Sequence, residues 1–489
     1  MSVKNKVQLI TYPDSLGGSL EGLEEVLERF FPGLFEGGIH VLPPFPSSGD
    51  RGFAPLTYLE IDPAFGSWDD IRRLGDRYDI LLDLMVNHIS GRSPFFQDFL
   101  TNGRASEWAD LFLTLDKLWV DGNPVQRDID KMFLRRPRPY STYRVGSPAV
   151  DEKVWTTFGK QDPSEQVDLD WRSPQFRRLI VDFLENFARH GVKIVRLDAV
   201  GYLVKKLGTS CFFVEPDIFE FLDWIAEIAD AKGIALLPEV HAQRAIQSRL
   251  SQRGYWTYDF ILPYAILEAL IIHSPVRLRP YLLSRPTKQF TMLDCHDGIP
   301  VKPDMDGLYA PEDVRRLVQT CLDRGGNLSL VVSAEHQDPD GFDVHQIRGT
   351  YYSLLGCDDD AYIAARAIQF FVPGVPQVYY VGLLAGQNDV EAVARTGEGR
   401  EINRHNFTMD EIGVAADKDV VRRLERLIRL RNRHPAFDGE FRVLDSAESR
   451  LRLAWSLGGE ECVLDIDFAS NQSSVESVDA LGHVERFSL

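Results

Sequence analysis

Val192-Lys193-Ile194-Val195-Arg196-Leu197-Asp198 is a nearly continuous apolar run that ends in an arginine and a carboxylate. A strand with one wet face alternates polar and apolar residues; an unbroken apolar run marks a strand covered on both faces, as in a parallel sheet. Seven more short runs of this kind, bounded by turn residues, occur at 7–12, 38–44, 79–86, 234–240, 258–263, 290–294 and 375–381. Helical spacing of apolar residues lies between them, at 20–31 and at 174–190, where Phe176, Leu179, Ile180, Phe183 and Phe187 share a face. Eight strand–helix units predict an α/β chain folded as a (β/α)8 TIM barrel; a doubly wound sheet with fewer strands is the competing arrangement.

The third and fourth runs are separated by about a hundred residues, more than one crossover helix needs. Barrel segments are therefore expected at 1–85, 166–297 and 366–433, with an inserted domain B at 86–165 over the barrel mouth. A second, loop-rich insertion is expected at 298–365, where Gly325-Gly326-Asn327 and Asp338-Pro339-Asp340-Gly341 read as loops. From 434 to 489 the runs 441–444, 451–455 and 462–466 alternate with turns, which predicts a C-terminal antiparallel β domain.

A chain of 489 residues fits one barrel with insertions, and 44% hydrophobic with 11% aromatic residues excludes a disordered chain. The net charge of −19 argues against nucleic acid or anionic lipid as partners, and no apolar run is long enough to span a membrane. Five cysteines without a CxxC pair argue against a disulfide framework or zinc site, and no signal-peptide pattern opens the chain. A cytoplasmic protein acting on small molecules, as monomer or homodimer, is expected.

In a barrel, the C-terminal strand ends carry the chemistry. Here they finish in Asn87-His88, Arg196-Leu197-Asp198, Glu239 with His241 behind it, and Asp294-Cys295-His296-Asp297. Three carboxylates, Asp198, Glu239 and Asp297, suit glycosidic chemistry: one attacks the anomeric carbon, a protonated one protonates the leaving oxygen, and the third steadies the oxocarbenium-like transition state. Carboxyl groups about 5–5.5 Å apart would give retention. Arg196, two residues before Asp198, shares its strand face and would keep it ionised. Glu239 needs a proton before attack, which an apolar wall or a neighbouring anion would favour.

The segments Asp83 to His88 (DLMVNH), Val195 to Tyr202 (VRLDAVGY), Leu237 to His241 (LPEVH) and Leu293 to Gly298 (LDCHDG) resemble the four signature regions of the α-amylase superfamily, glycoside hydrolase family 13. Ser47 to Phe53 (SSGDRGF), Gly208 to Phe212 (GTSCF), His296 to Ile299 (HDGI) and Pro373 to Ala385 (PGVPQVYYVGLLA) look like its sucrose phosphorylase subfamily. The resemblance implies Asp198 as nucleophile, Glu239 as acid/base and Asp297 as transition-state stabiliser. It implies a glucosyl pocket of Asp50, Phe53, His88, Phe158, Gln166, Arg196, His296 and Arg400. It also implies that phosphate, rather than water, attacks the glucosyl-Asp198 intermediate to give α-D-glucose 1-phosphate.

Two loops bear on the acceptor. Where the subfamily's sucrose enzymes resemble YRPRP and DLYQ, this chain has Arg135 to Pro139 (RRPRP) and Asp343 to Gln346 (DVHQ). Two tyrosines are replaced by Arg135 and His345, both able to hold an anion. This looks like the branch whose substrate carries a 6-phosphate on the fructosyl group. Arg135, Arg138 and His345 would then hold phosphate, and Asp343 and Gln346 the fructosyl hydroxyls. The implied reaction is retaining phosphorolysis of sucrose 6'-phosphate to α-D-glucose 1-phosphate and D-fructose 6-phosphate. Phosphorolysis of plain sucrose, or of glucosylglycerol, is the alternative within the subfamily. A hydrolase would release glucose whether or not phosphate is present, and a catalytically dead binding barrel would have lost one of the three carboxylates. Amylases often bind calcium near the residue matching Asn87, but no Asp-rich loop supplies further ligands. No metal and no cofactor are expected; inorganic phosphate is a co-substrate.

Overall fold

Each of the eight apolar runs becomes a parallel strand. The computed structural model describes residues 3–302, 305, 307–332, 337, 341–470 and 472–489. The strands are β1 (Gln8–Thr11), β2 (Gly38–Val41), β3 (Ile80–Met85), β4 (Val192–Asp198), β5 (Ala235–Pro238), β6 (Thr257–Asp259), β7 (Gln289–Thr291) and β8 (Val375–Tyr379). They hydrogen-bond in the order β6-β7-β8-β1-β2-β3-β4-β5, chain order with a cyclic shift, as the (β/α)8 reading predicts. By contacts the chain forms two compact units.

The first unit comprises Val41–Val240 and Val331–Asp343. In it β3 pairs with β4, and β4 with β5, so that Asp83 lies opposite Arg196, Met85 opposite Asp198 and Arg196 opposite Leu237. The helix Pro174–Arg189 follows the predicted pattern. Ser173 caps it by accepting from the Phe176 N–H, a proline occupies its first turn, and Phe176, Leu179, Ile180, Phe183 and Phe187 are buried. The segment between β3 and β4 holds a hairpin of Tyr140–Val145 with Val150–Trp155 and a short pair of His88–Ser90 with Gln166–Asp168. Leu113, Leu115, Trp119, Met132, Trp155 and Cys211 form a local core there.

The second unit comprises Val3–His40, His241–Leu330 and Val344–Leu489. Strand β6 stops at Asp259, short of the expected Pro263. The Asp259 carboxylate accepts from the Leu262 N–H and pairs with buried Arg285 at 2.7 Å, which starts the helix Leu262–Ile271. Within the second predicted insertion, Asn327 does not sit in a loop. It opens a strand (Asn327–Leu330) that pairs with Val344–Arg348, which also pairs with Ile299–Pro300. A helix, Pro311–Asp323, precedes it with Val314, Leu317, Val318 and Cys321 buried. Asp338-Pro339-Asp340 lies outside the described residues.

The C-terminal sheet is a five-stranded antiparallel meander of Glu440–Leu444, Arg450–Leu457, Glu460–Asp467, Gln472–Val478 and Val484–Ser488. Leu451, Leu453, Leu464, Ile466 and Val475 fill its inner face. Gly458 and Gly459, both at positive φ, make the two-residue turn between its second and third strands. Among the described residues, no helix is long and apolar enough to cross a membrane.

Candidate active site

Register places the first cluster. Arg196 and Asp198, two apart on β4, face the same way as Asp83 across β3. The Arg196 guanidinium is nearly fully buried and binds three carboxylates: it donates to Asp83, meets Asp198 Oδ1 at 2.8 Å and Glu239 Oε1 at 3.0 Å. Glu239, just past β5, is anchored by its own N–H on the Leu197 carbonyl, and its Oε2 accepts from the Ala199 N–H at 2.8 Å. Ala199 holds a left-handed conformation (φ 52°), a strained geometry for a residue with a Cβ, directly after Asp198. Within this unit two donors, Arg196 and the Ala199 N–H, meet Glu239, and Asp198 shares the same guanidinium. The reason is the arginine on β4, whose fork reaches both neighbouring strands.

Of the other predicted sugar-pocket residues of this unit, Phe53 adjoins that cluster and His88 meets Phe53. His88 is buried, and its Nε2 lies 3.0 Å from the Phe53 carbonyl. A carbonyl only accepts, so Nε2 carries the proton, and Nδ1 is left to accept from Asn87 at 3.4 Å. Burial pushes the His88 pKa below its ordinary value, against the pull of Asp168. The ring is therefore a neutral wall at working pH. Phe53 lies under the Arg196 guanidinium at 5.9 Å, and the half-buried Phe158 packs on His88 and on Tyr202. Asp50 opens three successive residues at positive φ, Asp50, Arg51 and Gly52, where a Cβ on Gly52 would lie 2.7 Å from the Pro43 carbonyl oxygen. Gln166 is buried and its Oε1 has no hydrogen-bond partner among the described residues. An unmet buried amide oxygen costs about 1–3 kcal/mol, so such an acceptor is expected where a ligand hydroxyl completes it.

Beside His88 lies a group that sequence reading missed. The Lys205 ammonium is buried against Asn87 Oδ1, the Tyr202 carbonyl and Asp168 Oδ2. Asp168 further accepts from Thr157 and Asn87. Three oxygens thus converge on one buried lysine. Nothing separates Lys205 from Lys206 in sequence, and Lys206 is exposed on Asp217. Lys205→Met leaves the Asp168 carboxylate buried without its cation. We expect a loss of about 3–5 kcal/mol by denaturant titration; an unchanged midpoint would show the ammonium to be dispensable.

The arginine loop differs residue by residue. Arg136 is tied to Thr156 Oγ1 and to the Phe158 and Gln161 carbonyls, a structural post. Arg138 is exposed and paired with Asp162. Arg135 is half-buried and lines a small cavity with Arg136, Phe133, Trp155, Tyr202 and Cys211. The Phe133 N–H donates to the Ser210 carbonyl, which fixes the loop's base. Asp343 is half-buried, and its carbonyl accepts from the Val331 N–H.

The second unit carries the remaining predicted residues. Arg400 Nε is 3.3 Å from Asp297 Oδ1, and His296 Nε2 is 3.5 Å from Asp297 Oδ2. Burial alone would raise the Asp297 pKa. The charges of Arg400, His296, Arg404 and His241 outweigh it and hold the carboxyl well below the usual range. Asp297 is thus an anion throughout the working pH range. Neighbouring Asp294 is spent on a fully buried pair with Arg366 at 2.7 Å, packed so tightly that a Cβ on Gly382 would clash with both. His296 is buried edge-on to Tyr12 at the end of β1. His345 is buried with Nδ1 2.7 Å from the Lys302 carbonyl; Nδ1 therefore donates, and only the protonated ring also donates from Nε2. Gln346 is buried with Oε1 unmatched among the described residues, like Gln166. Asn403 and Arg404, which were not foreseen, hold the backbone around Asp297: Asn403 donates to the Cys295 carbonyl at 2.9 Å and Arg404 to that of His296 at 3.0 Å.

A carboxylate pair sharing one buried arginine at adjacent strand ends suits glycosidic bond cleavage. Residues 6–253 match the family described as alpha amylase, catalytic domain. The chain belongs to this family. It is 58% identical over 487 residues, all of both chains, to a sucrose 6(F)-phosphate phosphorylase of Thermoanaerobacterium thermosaccharolyticum. It is 43% identical to a sucrose phosphorylase of Streptococcus mutans, over 91% of this chain and 90% of that one. The crystal structure of a sucrose 6F-phosphate phosphorylase from Thermoanaerobacter thermosaccharolyticum superposes with a TM-score of 0.98 at 57% identity, covering 100% of this chain and 99% of that one.

Proposed function

We propose that this protein is a disaccharide phosphorylase that converts sucrose 6'-phosphate and inorganic phosphate into α-D-glucose 1-phosphate and D-fructose 6-phosphate with retention. The observation that carries the reading is the buried Arg196 fork joining Asp83, Asp198 and Glu239. It aims and charges Asp198 as a nucleophile. Three carboxyl groups around one guanidinium leave this part of the site negative when all ionise, which favours one of them keeping a proton. The reading gives that proton to Glu239.

In the first half-reaction an Asp198 oxygen bonds to the glucosyl anomeric carbon while the bond to the fructosyl oxygen breaks. Glu239 hands its proton to that oxygen, and the ionised Asp297 steadies the oxocarbenium-like charge. In the second, a phosphate oxygen bonds to the same carbon and the Asp198 ester breaks. Glu239, now a base accepting from Arg196 and Ala199, takes the phosphate's proton. Two inversions restore the α configuration.

Asp50, Phe53, His88, Phe158, Gln166, Arg196, His296 and Arg400 hold the glucosyl unit in this reading, and Asp343 and Gln346 the fructosyl hydroxyls. Arg135, Arg138 and His345 hold the 6-phosphate. No metal or cofactor takes part, and the enzyme works in the cytoplasm as a monomer or homodimer. The full-length likeness to a sucrose 6(F)-phosphate phosphorylase supports the acceptor. Product analysis by NMR tests the reaction type. With phosphate present the glucosyl product is the α-1-phosphate; free glucose formed at the same rate with or without phosphate would mean a hydrolase instead.

A further inference from the structure

The segment that steadies Asp297 is itself held by a clamp. Arg400, Asn403 and Arg404 hang the 295–297 backbone and the Asp297 side chain on residues 400–404. The next residue, His405, sits between two carboxylates, with Nδ1 2.9 Å from Asp389 and Nε2 3.2 Å from Glu411. Asp389 also caps the helix Val390–Thr396 through the Ala392 N–H, and its own N–H donates to the Ile402 carbonyl at 2.9 Å. Glu411 closes the capping box of the helix Met409–Ala416 with Thr408.

Both acids are held below their ordinary pKa. For Asp389, burial works against this but is outweighed by the bonds from His405 and the Ala392 N–H and by the charges of His405 and Arg395. For Glu411, the Thr408 N–H contributes most, and His405 adds to it. Each carboxylate lies within hydrogen-bond distance of a different ring nitrogen, so the ring bridges the two helix caps. The groups facing the ring are Asp389, Glu411 and the Phe407 ring at 4.8 Å, with Arg395 acting on Asp389.

We propose that His405, bridging Asp389 and Glu411, is a positioning residue that sets Arg400, Asn403 and Arg404 against Asp297; this rests on the transition-state role given to Asp297. In this role the ring acts through the turn it fixes.

The test uses the full chain with α-glucose 1-phosphate release as readout, rates being scaled to the folded fraction from thermal melts. His405→Ala and His405→Gln are expected to lower kcat about tenfold while KM stays within about twofold, the scale found for residues that orient a reacting group from behind. His405→Arg, which keeps two donors, restores most of the rate. An unimpaired His405→Ala, or a His405→Arg as impaired as His405→Ala, overturns the inference. An active Asp297→Asn overturns the role of Asp297 and the inference with it; an inactive Asp297→Asn beside a normal His405→Ala overturns the inference alone.

Discussion

Asp198→Asn is expected to lower phosphorolysis at least about ten-thousandfold while leaving the melting temperature within a few degrees. The amide keeps the shape and can still meet Arg196, but it has no charge with which to attack the anomeric carbon. Loss of a nucleophile leaves only the residual catalysis of binding and electrostatics, which accounts for losses of this order. The neutral amide also relieves the carboxylate crowding around Arg196, so folding does not suffer as it would from a cavity. Steady-state rates and a thermal melt on the same preparation measure both. Phosphorolysis at even a tenth of the normal rate would remove Asp198 from the mechanism.

The second large effect is one of selectivity. Arg135→Ala and His345→Ala are each expected to lower kcat/KM for sucrose 6'-phosphate by about 10- to 100-fold, and for sucrose by less than about threefold. A charge-assisted hydrogen bond to a phosphate contributes about 1.5–3 kcal/mol, and unphosphorylated sucrose never makes it. His345 spends Nδ1 on the Lys302 carbonyl, so its help to an anion depends on protonation at Nε2. Arg136→Ala is the contrast: its bonds to Thr156, Phe158 and Gln161 are structural, so both substrates suffer alike. Equal losses for the two substrates in Arg135→Ala and His345→Ala would defeat the acceptor assignment.

The barrel was legible because burial on both faces forces unbroken apolar runs, and all eight runs are strands. Their ends were less legible. Strand β6 ends early because Asp259 caps a helix and pairs with Arg285, a contact between distant residues. The last two strands of the C-terminal sheet, Gln472–Val478 and Val484–Ser488, escaped because they are rich in polar residues and the second is largely exposed, with Val475 the main apolar residue turned inward. At the site, spacing put Arg196 and Asp198 on one face, and the structure agrees. It did not reveal that Arg196 also reaches Glu239, since that depends on register between β4 and β5. Nor could it tell Asp294, spent on Arg366, from Asp297, which answers to Arg400 and His296. Lys205 was invisible for the same reason: its partners Asn87 and Asp168 come from elsewhere in the chain.

The most direct test of the central claim is a pair of rates on the unaltered protein. Phosphate-dependent release of α-glucose 1-phosphate is followed from sucrose 6'-phosphate and from sucrose under the same conditions. The account predicts clearly higher kcat/KM for the phosphorylated sugar, with fructose 6-phosphate formed in equal amount. Preference for sucrose would contradict the acceptor, and no α-glucose 1-phosphate from either sugar would contradict the reaction itself.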